Sequence, residues 1–260
     1  MSAGIDKIPN MEQSEMRAIF LAKDGREIPS VTEDEMREVD RIAVQEFQLG
    51  VLQMMENAGR NLASHVIDAF AGTTGKITIL AGSGGNGGGG LCCARHLYNR
   101  GFRVQLLMAR PAEALEGAAG TQYAILSSAG IIAAGLEESE KLISEATVVV
   151  DALIGYSLQD APRGSTALLI ETSNRWAKNV VALDIPSGVD ATTGESPGVS
   201  IRADRTVTLA LPKRGLDPSR YDLYLTDIGI PPEVYLQLGI TLDPIFAEHF
   251  SVKLITREDN

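Results

Sequence analysis

The chain has 260 residues, 44% of them hydrophobic and 22% charged, so there is enough apolar material to bury one sizeable core. Lys and Arg total 23 against 34 Asp and Glu, a formal net charge of −11. That balance argues against a nucleic-acid binder, which needs a basic face to track phosphates. It leaves room for a small anionic ligand held by backbone amides.

The two cysteines, Cys92 and Cys93, are adjacent, with no CxxC pair or Cys/His spacing of the kind that holds zinc. They are expected to be buried, apolar and reduced. No apolar run approaches the ~20 residues that span a bilayer. The opening MSAGIDKIPNMEQSEM has no basic start followed by an apolar run, so neither a signal peptide nor a membrane role is expected. The expected compartment is the cytoplasm.

Residues 1–30 mix Pro, Gly and charge without periodicity and are expected to form an N-terminal extension to a single domain covering 31–260. Thr32-Glu33-Asp34-Glu35 is a capping box, after which Met36, Val39, Ile42, Ala43 and Phe47 recur at helical spacing. A second helix is expected from Val51 to Phe70. Beyond Gly75, short β-branched runs alternate with helical stretches. The strands are expected at Lys76–Ala81, Arg103–Met108, Ile131–Ala133, Thr147–Asp151, Val180–Ile185, Thr206–Leu211 and Leu223–Asp227. Helical patterns lie around Leu91–Arg100, Ala112–Ala129, Glu137–Glu145 and Thr166–Lys178. This alternation predicts an α/β fold with a mostly parallel sheet, helices on both faces and two helices in front.

In open sheets of this kind the ligand crevice lies beyond the carboxyl ends of the strands. The strand KITILA runs into Gly82-Ser83-Gly84-Gly85-Asn86-Gly87-Gly88-Gly89-Gly90 and then into a helix, a sequence suited to an anion site. Gly82, Gly84 and Gly87 satisfy GxGxxG, but no Lys-Ser/Thr pair follows to make a Walker motif. Two later strands end in Asp151 and Asp184, the second followed by Pro186-Ser187-Gly188-Val189-Asp190. Asp is unfavourable inside strands, so both are expected at the crevice mouth. Two carboxylates beside a phosphate repel it unless a cation or a proton intervenes. Either a bound cation or one protonated carboxyl is therefore expected. His65, His96 and His249, Trp176 and the Met-rich VLQMMENAG stretch read as packing or surface residues, with Trp176 and the methionines also candidates for dimer contacts.

Taken in order, Met54-Met55-Glu56-Asn57-Ala58-Gly59, the glycine segment, Val150-Asp151-Ala152-Leu153-Ile154-Gly155, Asp184-Ile185-Pro186-Ser187-Gly188-Val189-Asp190, Leu211-Pro212-Lys213-Arg214-Gly215-Leu216 and Asp227-Ile228-Gly229-Ile230-Pro231 resemble the YjeF N-terminal domain family over about residues 33–232. The resemblance implies a three-layer αβα Rossmann-like fold, often a homodimer. It implies the activity of an NAD(P)H-hydrate epimerase, which interconverts the R and S forms of NADHX and NADPHX, with an ADP- or ATP-dependent dehydratase as functional partner. It also implies a potassium ion, whose ligands by position are Asn86, Asp151 and Ser187. The cofactor phosphates would meet Gly85, Asn86, Gly87, Gly88 and Gly89, and the loop Gly155, Tyr156, Ser157, Leu158, Gln159, Asp160 and Ala161. Asp184 would touch the hydrated ring and is the candidate acid/base, with Glu56 and Asn57 in support. One departure is visible: where the family loop reads Asn-Asn-Gly-Gly-Asp-Gly, this chain has Gly85-Asn86-Gly87-Gly88-Gly89-Gly90.

Two other readings stand beside this one. A catalytically weakened nucleotide-binding or scaffold member would fit the glycines at 85 and 89. An NAD(P)-dependent oxidoreductase would use GxGxxG, with Arg110 after the second strand of the alternating region meeting a 2′-phosphate.

Overall fold

A computed structural model describes residues 18–69 and 75–255. Its centre is a ten-stranded sheet. In chain order the strands are β1 (Ile19–Ala22), β2 (Glu27–Pro29), β3 (Lys76–Ala81), β4 (Arg103–Met108), β5 (Ala133–Ala134), β6 (Ala146–Ala152), β7 (Val180–Leu183), β8 (Arg205–Leu209), β9 (Asp222–Thr226) and β10 (Ser251–Ile255). The helices are α1 (Glu33–Gln45), α2 (Val51–Ala69), α3 (Gly85–Tyr98), α4 (Gly117–Ser128), α5 (Ser139–Ser144), α6 (Gly164–Trp176) and α7 (Pro232–Leu236).

Across the sheet the order is β2-β1-β10-β9-β8-β7-β6-β3-β4-β5. From β5 through β9 the neighbours are parallel, while β10, β1 and β2 are added antiparallel. The central strands are buried on both faces, as their unbroken Val, Ile and Leu runs require. One face packs on Leu62, Val66, Leu91, Leu97 and Leu126 of α2, α3 and α4. The other packs on Leu142, Ile143, Leu169 and Ile170 of α5 and α6. The expected three-layer arrangement is present.

The segment expected to be an extension contributes more than that. Within the described part of it, residues 19–29 form the β1–β2 hairpin on the sheet edge. Phe20, Ala22, Ile28 and Val31 join the core that also holds α1 and α7. The expected helix Val51–Phe70 is found as far as Ala69; Phe70 lies outside the described residues. The capping box forms as expected, with Thr32 Oγ1 accepting from the Glu35 amide at 3.2 Å and Glu35 Oε2 from the Thr32 amide at 2.9 Å.

Two features of this frame position the crevice. First, β3 lies between β4 and β6, so the chain winds away from β3 in both directions, and the strand order reverses there. Second, Val31 clamps the segment after β8: its amide donates to Pro212 O at 2.9 Å, and its carbonyl accepts from the Arg214 amide at 2.9 Å. The start of α1 and the backbone of Lys213 are thereby held to one another.

Candidate active site

A cavity of about 560 Å³ opens at the carboxyl ends of β3, β6, β7 and β8, within the size range of small-molecule sites. Its walls come from α1 (Met36, Asp40), α2 (Met54, Met55), the glycine segment (Gly82–Asn86, Gly89), residues 153–157, α6 (Ser165, Thr166), Asp184 and Lys213.

The glycine segment is shorter as a loop than its composition suggests. Helix α3 begins at Gly85, not near Leu91, and Gly84 caps it without any side-chain hydrogen bond. The open first turn faces the cavity through Gly84, Gly85 and Asn86, an anion-binding geometry. The next glycines serve packing. A Cβ on Gly87 would stand 1.9 Å from Gly82 O, on Gly88 2.4 Å from Met55 Cε, and on Gly90 2.5 Å from Ala152 Cβ. These residues let α3 press onto β3, β6 and α2.

Asp184 and Lys213 form a buried ion pair, with 3% and 1% of their surfaces exposed. Both positions rest on tight turns at the ends of neighbouring strands. After β7, Ile185 N donates to Leu183 O at 2.9 Å across Asp184, whose φ is +69°. After β8, Leu211 N donates to Leu209 O at 2.7 Å across Ala210, at φ +62°. Such i→i+2 turns at positive φ are strained, and they cluster at sites where a side chain must be aimed. The Asp184 carboxylate also accepts from the Tyr156 amide at 3.0 Å and the Leu209 amide at 3.4 Å. Lys213 Nζ is shared with Leu209 O at 2.8 Å. The ammonium lies 5.9 Å from the Tyr156 ring centroid.

Asp151, at the end of β6, is fully buried and has no basic side chain beside it. Ser187 donates to it through its amide at 2.8 Å and its hydroxyl at 2.6 Å, and the Leu153 amide donates at 3.2 Å. Burial pushes its carboxyl up to about 6 despite these bonds. Ser187 Oγ in turn accepts from the Ile154 amide at 2.8 Å, tying β6 to the turn after β7. The buried Asn86 Nδ2 has no hydrogen-bond partner.

Across the cavity, Asp40 accepts a 2.6 Å hydrogen bond from the Tyr156 hydroxyl. Desolvation raises the Asp40 carboxyl, with the Tyr156 hydrogen bond and the Lys213 charge opposing it.

The structure brings Gly85, Asn86, Gly89, Gly155, Tyr156, Ser157 and Asp184 together on the cavity wall. It does not place every expected phosphate contact there. Gly87 and Gly88 are buried in helix packing, and Leu158 is buried; Gln159, Asp160 and Ala161 lie off the lining, with Asp160 paired to Arg163 at 2.8 Å. Asp151 and Ser187 sit behind the wall, joined to each other. Asp40, Lys213 and the Tyr156 phenol were not singled out by sequence reasoning. For Lys213 the available signal was its place in the Leu-Pro-Lys-Arg-Gly run.

Glu56 is off the cavity. It binds Arg95 and, at 2.8 Å, His96 Nε2, and its Oε2 lies 3.4 Å from Cys92 Sγ. Ligand atoms of Glu56, Cys92 and His96 lie within 4.8 Å of one another. The Arg95 guanidinium already occupies this cluster, 3.4 Å from Cys92 Sγ, so it is a poor place for a cation. Asn57 instead ties α2 to the last expected motif, donating to Ile228 O at 3.1 Å.

The family described as YjeF-related protein N-terminus matches residues 51–215. The chain belongs to this family. Among curated relatives, an NAD(P)H-hydrate epimerase of Dehalogenimonas lykanthroporepellens is 43% identical over 224 residues, covering 85% of this chain and 90% of that protein. One of the same description from Rhodopirellula baltica is 35% identical over 82% of this chain and 90% of that protein. A bifunctional NAD(P)H-hydrate repair enzyme of Moorella thermoacetica is 36% identical over 87% of this chain but only 43% of its own length. The crystal structure of the yeast protein ynu0 shares the fold, with a TM-score of 0.75, 23% identity and coverage of 87% of this chain and all (100%) of that one. No described helix is long and apolar enough to cross a membrane.

Proposed function

We propose that this chain is an NAD(P)H-hydrate epimerase, interconverting the R and S forms of NADHX and NADPHX. The observation that carries the reading is the crevice itself, in a chain of this family: a bare helix N-terminus and a buried, strained Asp184 face one cavity large enough for a nucleotide's reactive end. The open amides of Gly85 and Asn86 suit the diphosphate, while the Arg110 guanidinium on the lining offers a further, cationic contact for it.

The chemistry asks for little more. In NAD(P)HX the C6 hydroxyl stands beside a ring nitrogen whose lone pair can expel it. Protonation of the departing hydroxyl leaves a conjugated cation, and water adding to the opposite face inverts the carbon. A carboxyl group near the leaving oxygen and negative charge near the cation serve both steps. Asp184 supplies the negative charge and exchanges the proton, and Lys213 fixes its position.

Potassium belongs to the same reading. Asn86, Asp151 and Ser187 fit an alkali ion: their donors are hard oxygens, and Asp151 is a buried carboxylate without a cationic side chain beside it. The Asn86 amide, turned over, would put its oxygen where an unpartnered nitrogen is now buried. When bound, the ion supplies fixed positive charge that tempers the carboxylate behind the phosphate site. A homodimer, a cytoplasmic location and a separate NAD(P)HX dehydratase complete the proposal.

The test is to supply R-NADHX together with an S-specific dehydratase and measure complete repair with and without this protein. Acceleration is expected, and Asp184→Asn should reduce it ~10²–10⁴-fold, the usual worth of a general acid or base. Unaccelerated repair rejects the reading. Steady NADPH oxidation with carbonyl substrates would favour the oxidoreductase.

A further inference from the structure

We infer that the site handles protons on both faces of the substrate ring, with Asp40 as the proton-transfer residue opposite Asp184. The inference rests on the epimerase reading and deepens it. Inversion at one carbon requires hydroxyl to leave from one face and water to arrive at the other. A single fixed carboxyl can serve only one of those faces while the ring stays put.

The structure offers two carboxyl groups on two walls. Asp184 stands at the strand ends; Asp40 stands on α1, and both line the cavity. Tyr156 connects them, its amide donating to Asp184 at 3.0 Å and its hydroxyl donating to Asp40 at 2.6 Å. The two carboxyl groups are thus held apart by the length of a tyrosine, yet the charge on Asp184 still acts on Asp40. Inverting glycosidases likewise keep their two carboxyl groups apart, leaving room for the attacking water.

The two groups also differ in surroundings, as an acid and a base should. Asp184 faces the buried Lys213 ammonium, whereas Asp40 is hydrogen-bonded to the Tyr156 phenol. The groups facing Asp40 are Tyr156, Lys213 and Asp184 across the cavity and Tyr235 from α7. Desolvation is the largest influence on Asp40 and favours its protonated form.

The step balances in atoms and charge. The Asp40 carboxyl proton passes to the C6 hydroxyl, the C6–O bond breaks, and water leaves with the electron pair of that bond, giving the ring cation. A second water forms the new C6–O bond on the other face and loses a proton to the Asp184 carboxylate. One proton has moved from Asp40 to Asp184, and exchange with water after product release resets the pair. The opposite direction runs from the opposite protonation state.

The experiment compares kcat, KM and pH profiles for the parental chain, Asp40→Asn, Asp40→Glu and Tyr156→Phe in the dehydratase-coupled assay, with melting curves as a check on folding. Asp40→Asn is expected to lose kcat at least 10²-fold with KM changed only a few-fold. Asp40→Glu, which keeps a carboxyl, should recover part of that loss. Tyr156 acts through Asp40 as a positioning residue. Removing its hydroxyl removes a bond to the ionised carboxylate, so the limb where activity falls with rising pH should move to higher pH in Tyr156→Phe. Parental kcat in a folded Asp40→Asn chain, or an unmoved limb in Tyr156→Phe, overturns the assignment while leaving the epimerase reading intact. An inactive parental chain overturns the epimerase reading and this assignment with it. Should Asp40→Asn not fold, the Tyr156→Phe profile decides.

Discussion

Lys213 and Asp184 form an ion pair at the base of the crevice, each almost entirely removed from solvent and each seated beside a strained turn at the end of its own strand. Neither turn alone would bring the groups together. The parallel pairing of β7 with β8 does, by placing the two strand ends side by side.

Lys213→Met should therefore leave an uncompensated carboxylate in a dry place and cost about 3–5 kcal/mol of stability. Adding Asp184→Asn in the same chain should restore most of that loss, because no lone charge then remains buried. Urea unfolding of the single and double variants measures both. Equal stability of Lys213→Met and the parental chain would contradict the pair.

The glycines of α3 divide into two kinds, and alanine separates them. Gly90→Ala drives a methyl group to 2.5 Å from Ala152 Cβ on the central strand, where nothing flexible can yield. A loss of about 1–3 kcal/mol is expected. Gly85→Ala meets nothing within 4 Å and should leave stability unchanged or raise it by up to about 1 kcal/mol. Melting temperatures should differ accordingly, by about 2–4 °C per kcal/mol in a chain of this size.

His65 predicts an acid sensitivity unrelated to catalysis. It is buried against Tyr224, with ring centroids 4.6 Å apart, and its Nε2 meets Ser251 Oγ at 2.8 Å. Burial, aided by the nearby Arg205 charge, lowers its pKa from 6.5 to about 4. Because the folded value lies below the unfolded one, the neutral ring contributes stability that is present above pH 6.5 and lost as pH falls towards 4. The loss is about 3 kcal/mol at most. His65→Gln should flatten the stability profile between pH 7 and pH 4.5, measured by urea unfolding; an unchanged slope would assign the acid sensitivity to other groups.

Potassium should raise the melting temperature of the parental chain, since an ion that binds only the folded state stabilises it by mass action. Sodium at equal ionic strength should do so less, and Asp151→Asn should abolish the difference. Identical melting curves in the two salts would remove potassium from the proposed site.

Much of the central frame was legible because it is written in local periodicity. KITILA and RVQLLM are strands with the expected bounds, and the capping box at Thr32 starts its helix. The edges were less legible. The β1–β2 hairpin rests on short runs, IFLA and EIP, around a turn whose Gly25 sits at φ +85°. Asp24-Gly25 was the available signal, weak beside so much unpatterned sequence. Strand β10 was equally hidden, since a short alternating run in a tail becomes a strand only when an edge such as β9 is present to pair with it. The glycine segment misled in the other direction: its composition reads as loop, yet helix packing favours glycine wherever a backbone must approach another this closely.

The order of motifs along the chain was sufficient to determine the family, the alternating architecture and the two aspartates at strand ends, since each is a property of neighbouring residues. The partners of Asp184, and of Asp40 on α1, were decided only by the folded chain. Lys213 is 29 residues beyond Asp184, and Tyr156 is 116 beyond Asp40. No local pattern encodes such separations. They are set by strand order and by the packing of α1 against the sheet, and that long-range arrangement gives Asp184 a buried ammonium and Asp40, on α1, a phenol.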